Sequence, residues 1–245
     1  MKRAFSFRKG FSNFLHELSR ALLPLIVFGW VLSGLTAVAY ASIFIYKWRI
    51  LAVKSRFWAA NIRANMTDIL IGLSMAKFMS ISSLKYQLAW LGFYLAWVLY
   101  IKKLSNRGGI MLQGLTAYAI SLSALLWSFS TMEFGVMLAG VWLIAYFCSR
   151  HILGAFKEDH APVLAHVWAL TATEMAWILW HWQAWYWFVN QLVLVTSIAL
   201  IGLSLAYYMS RKESPNSAAI KQTLITSGLM MLVVIVLHNW RDTSF

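Results

Sequence analysis

Long apolar blocks alternate along this chain with short connections rich in basic and aromatic residues. Within each block the apolar residues occupy every side of a helix instead of one stripe, the pattern of a segment whose solvent is lipid. The blocks predict about eight transmembrane helices, at 22–46, 67–84, 86–101, 110–129, 132–148, 163–182, 184–208 and 220–240. The expected fold is an all-α, polytopic integral membrane bundle: one transmembrane domain over 21–245, preceded by an amphipathic arm over 1–20. The arm carries Lys2, Arg3, Arg8, Lys9 and Arg20 among phenylalanines, which suits a helix lying on an anionic membrane surface. The connection 47–66 mixes basic and apolar residues in the same way and predicts an interfacial helix. Thr67 and Asp68 then open the second span, where a cap oxygen and a negative charge both help. The third span is short against the roughly 20 residues normally needed. Gly108 and Gly109 break the chain before the fourth, and 149–162 reads as a polar loop.

Composition sharpens this. The chain has 245 residues, 61% hydrophobic and 12% charged, where a soluble domain is roughly 45–50% apolar and about 25% charged. The net charge of +13 would suggest nucleic acid in a soluble protein, but here the lysines and arginines sit between the apolar blocks and set topology. Thirteen basic residues fall in the connections after the odd-numbered spans and seven on the other side, five of them in the arm. The positive-inside rule puts the thirteen in the cytoplasm and leaves the arm on the wrong face. One cysteine, Cys148, excludes an intrachain disulfide.

Two segments echo each other. Residues 70–80 read LIGLSMAKFMS and residues 200–210 read LIGLSLAYYMS, with eight identities. An inverted repeat of the transporter kind would give this relation. So would helix packing alone, because Gly72 with Ala76 and Gly202 with Ala206 have the small-xxx-small spacing that lets helices approach closely.

Candidate chemistry rests on the few polar groups inside the blocks. Lys77 and Glu174 lie about halfway along the second and sixth spans, and charges at such depth are usually paired or face a cavity. Glu174 and His181 share a helix face two turns apart. Gln113 and Gln191 add polar lining for a substrate or ion path. His181 also sits among interfacial tryptophans, which gives it a structural reading. His181 and His238 are conceivable metal or haem ligands, but no HxxxH or HExxH spacing accompanies them, and no metal site is expected. The run Lys157–His160 reads as solvated charge. No phosphate-binding loop, nucleophile elbow or Ser/His/Asp set is present, so no catalytic residue and no cofactor is assigned, and an enzyme is the less favoured class.

The runs WRILAVKSRFWAANIRANMTDILIGLS (48–74), SRHILGAF (149–156), WILWHW (177–182) and LHNWRD (237–242) resemble an uncharacterised polytopic membrane family of candidate-phylum bacteria related to Saccharibacteria. That resemblance implies a multi-pass protein of a bacterial inner membrane and brings no catalytic residue with it. Two functions follow from the residues: a small-solute or ion transporter or channel-like subunit using Lys77 and Glu174, or a non-catalytic scaffold whose polar groups hold helices together. The expected partners are the bilayer, anionic headgroups at the arm and basic loops, and a second copy or another membrane protein, but not nucleic acid.

Overall fold

The computed structural model describes residues 20–128, 133–179, 185–186, 189–211 and 214–237. The arm before Arg20, His181 and His238 lie outside them. Among the described residues the chain is all-α, with nine helices: α1 Arg20–Leu32, α2 Thr36–Tyr46, α3 Trp58–Ile81, α4 Leu84–Leu99, α5 Arg107–Leu126, α6 Phe134–Ala155, α7 Ala161–Ile178, α8 Gln191–Ser210 and α9 Ser217–Val236. Two-residue strands, β1 Trp185–Tyr186 and β2 Val189–Asn190, pair antiparallel before α8. By its contacts the chain forms two compact units, Met1–Ser105 and Asn106–Phe245.

Among the described residues four helices, α5, α6, α8 and α9, are long and apolar enough to cross a membrane. This corrects the expectation of eight, and the physical reasons differ by segment. The first apolar block is not one helix. It stops at Ser33 and restarts at Thr36, because Gly34 turns the backbone into the left-handed region at φ +75°. There the Gly34 N–H donates to Val31 O and the Leu35 N–H to Trp30 O, the paired bonds of a Schellman ending. The second half, α2, has 11 residues, roughly 16 Å of helix against a hydrocarbon core of about 30 Å. Arg20 at the start of α1 and Lys47 just after α2 line one cavity, so the block doubles back on itself.

α3 begins at Trp58 instead of 67, since nothing in AANIRANM stops a helix. Thr67 and Asp68 are therefore interior residues and not its cap, and the helix expected within 47–66 is, from Trp58 on, the first part of α3, after short 3-10 turns at Trp48–Ile50 and Ser55–Phe57. Arg63, Asp68 and Lys77 keep α3 out of the apolar class, the 16 residues of α4 are too few, and α7 carries His166, two threonines and Glu174. In the first unit α3 packs against α2 and α4 around Ile43, Ile71, Met75, Tyr94 and Trp97. Phe78 stacks on Trp90 at 4.7 Å.

In the second unit α6 packs against α5 and α7, and α8 against α5 and α9. The Gly108–Gly109 step does not break the chain. It lies in the first turn of α5, where the Asn106 side chain accepts from the Gly109 N–H at 2.7 Å. α6 continues through Ser149 and His151 to Ala155, because Ile152 and Phe156 have a core to enter, so the expected polar loop shrinks to 156–160. α7 meets α6 through a stripe of buried alanines, Ala161, Ala165, Ala169, Ala172 and Ala176, whose small side chains admit a close approach. α8 starts at Gln191 and not 184, because Asn190 caps it, accepting from the Leu192 N–H at 2.8 Å. α9 buries none of its 20 residues. Its outward Leu, Ile, Val and Met side chains suit lipid and not water.

Candidate functional site

The densest charge cluster among the described residues lies in the first unit, around Asp68. Its helix position places the carboxylate between the turn after α2 and the turn after α4. Lys47 Nζ donates to Asp68 Oδ2 at 2.9 Å, and Lys102 Nζ pairs with the same oxygen. Trp97 Nε1 donates to the other oxygen, Oδ1, at 3.2 Å. Lys47 also donates to Asn65 Oδ1 at 3.1 Å. Asp68 and Lys47 are nearly buried, at 13% and 12% exposure, while Lys102 is 36% exposed. A cavity of about 240 Å³ adjoins the cluster, lined also by Arg20, Tyr46 and Tyr94. Burial pulls the Lys47 ammonium below the usual lysine value, Asp68 pulls it back up, and the like charge of Lys102 reinforces burial.

The second unit has two further polar contacts. His151 Nε2 lies 3.1 Å from Gln113 Oε1 and ties α6 to α5. Beyond the spans, Glu158 bonds to the Tyr207 hydroxyl and to Arg211, and Arg211 donates to the Tyr207 oxygen at 2.6 Å. With 10% of its side chain exposed, Glu158 is not the solvated charge the sequence suggested, although Lys157, Asp159 and His160 are exposed. An apolar cavity of about 380 Å³ lies between α6, α7 and α8 in the same unit, with Trp168, Leu203 and Tyr207 in its walls.

The expected site residues fall as follows. Lys77 is half-buried in α3 of the first unit, and Glu174 is exposed on α7 of the second. Gln113 is buried and engaged by His151. Gln191 is buried at the first position of α8, and its amide has no hydrogen-bond partner among the described residues. Gly72 sits where a Cβ would fall 2.8 Å from the Tyr94 hydroxyl and 3.1 Å from Ile43. A Cβ at Gly202 would fall 2.3 Å from Ser227 Oγ. Ala76 and Ala206 are buried. Among the described residues no group of three or more His, Cys, Asp or Glu could hold a metal.

Sequence reasoning missed Lys47, Trp97 and Lys102 as a site and gave Asp68 only a capping role. The available signal was Asp68 itself, one of eight acidic residues, followed at once by the apolar run ILIGL. A comparison of the chain with protein families, with curated proteins and with solved structures returns no match.

Proposed function

We propose that this chain is a multi-pass membrane protein with a structural, non-catalytic role, its intramembrane polar groups serving to join helices. The observation that carries this reading is the Gln113–His151 contact, in which a residue suited to line a path instead ties α5 to α6. Three hydroxyls also speak against a polar path. Ser123, Ser149 and Thr196 each donate to a carbonyl one turn back on their own helix, so they are satisfied locally. Glu174, the acidic half of the alternative transport site, stands exposed on α7. The resemblance to the candidate-phylum family supports a bacterial inner membrane as its location.

The test is reconstitution of the full chain in liposomes carrying pH- and ion-sensitive dyes. The expected outcome is no flux of protons or common ions under any imposed gradient. Wild-type flux that disappears in Glu174→Gln or Lys77→Met would overturn the structural reading in favour of transport.

A further inference from the structure

We propose that the chamber beside Asp68 binds a phosphate-bearing anion. Of the four charged side chains that line it among the described residues, Arg20, Lys47 and Lys102 are cationic and only Asp68 is anionic. Two ammonium groups converge on a single oxygen of that carboxylate. One negative charge cannot neutralise both, and the two cations repel each other at close range. Lys47 is too deeply placed for water to screen it well.

The space for a second anion is present. The cavity of about 240 Å³ opens beside the carboxylate, and the greater exposure of Lys102 gives it a mouth. The three cations come from three separate stretches of chain: the start of α1, the turn after α2 and the turn after α4. Lys47 and Lys102 share one carboxylate oxygen, so a second anion beside it relieves their repulsion, and a tetrahedral phosphate presents oxygens in more directions than a planar carboxylate. Tyr46 and Tyr94 in the lining add hydroxyl groups of the kind that phosphate oxygens accept from. The phosphate can come from the headgroup of an anionic lipid or from solution, and the inference holds whether or not the chain conducts ions.

The experiment uses the full chain in nanodiscs of phosphatidylcholine with a minor fraction of phosphatidylglycerol. Native mass spectrometry reads the retained lipid, and thermal unfolding reads the response to added inorganic phosphate against sodium chloride of equal ionic strength. Preferential retention of phosphatidylglycerol that falls roughly fivefold in Lys102→Gln, the worth of one basic side chain near an anionic surface, supports the site with lipid as the source. Lys103→Gln, on the same turn but outside the cavity lining, must leave retention unchanged. Stabilisation by inorganic phosphate without lipid preference supports the site with a soluble source. Equal retention of both lipids together with no phosphate response overturns the proposal, as does an equal loss in both variants. If Lys102→Gln does not fold, the two wild-type measurements decide alone.

Discussion

Ser227 of α9 is packed so tightly against Gly202 of α8 that a Cβ at position 202 would lie 2.7 Å from the serine Cβ. Glycine is therefore required here for close approach. Gly202→Ala should destabilise the protein by about 1–3 kcal/mol through overpacking, read as a lower midpoint of thermal unfolding in detergent. Ser227→Gly, which removes both offending atoms, should restore most of the loss in the double variant. A double variant no better than Gly202→Ala alone would show that the two helices separate to accommodate the methyl group.

The α5–α6 link makes a second prediction. Hydrogen bonds between membrane helices couple by about 0.6 kcal/mol on average. A double-mutant cycle of Gln113→Leu and His151→Leu should give a coupling of that order. Additive losses would mean that the 3.1 Å contact contributes nothing to stability.

Asp68 holds two lysines, so removing it should be worse than removing either end. Asp68→Ala leaves a nearly buried Lys47 facing Lys102 without a counter-charge, at a cost of roughly 3–5 kcal/mol. Lys102→Met removes the more exposed partner and should cost under about 1 kcal/mol. Denaturant midpoints of the two variants check the order, and equal losses would show that the uncompensated Lys47 left by Asp68→Ala carries no extra cost.

The Tyr207 hydroxyl, the His160 backbone N–H and the Arg211 charge hold the Glu158 carboxyl below its ordinary value of 4.5, against the effect of burial. A carboxyl depressed by folding adds stability that is complete above its unfolded value and is lost as pH falls through its folded value. Tyr207→Phe keeps the ring and deletes the strongest of these contacts. The difference in unfolding midpoint between wild type and this variant should be full near neutral pH and shrink as pH falls below 4.5. A difference independent of pH would assign it to packing alone.

Much of the helical content was legible because hydropathy reports it directly: the cores of α5, α6, α8 and α9 coincide with apolar blocks in the sequence. Their ends were less legible. Asn106, Asn190 and Asn216 each cap a helix through the side-chain oxygen, a local signal that hydropathy ignores. The Ser33–Gly34 step was hidden for the opposite reason, since two small residues hardly lower the hydropathy of a long block. The Asp68 cluster joins residues 21 and 34 positions away from it in the sequence, Lys47 and Lys102, and no periodicity of one segment can reveal such a meeting. Glu158 was misread because a charged loop residue looks solvated until the helix that carries Tyr207 and leads to Arg211 is folded beside it.

The turn at Gly34 changes the parity of the chain. A block that crossed would deliver its two ends to opposite faces of the bilayer, whereas a hairpin returns the chain to the face it entered from. Arg20 and Lys47, at the two ends of this hairpin, line one cavity. The positive-inside count took α1 and α2 as one crossing, and a hairpin that brings Arg20 and Lys47 to one cavity no longer requires these two basic ends to fall on opposite faces.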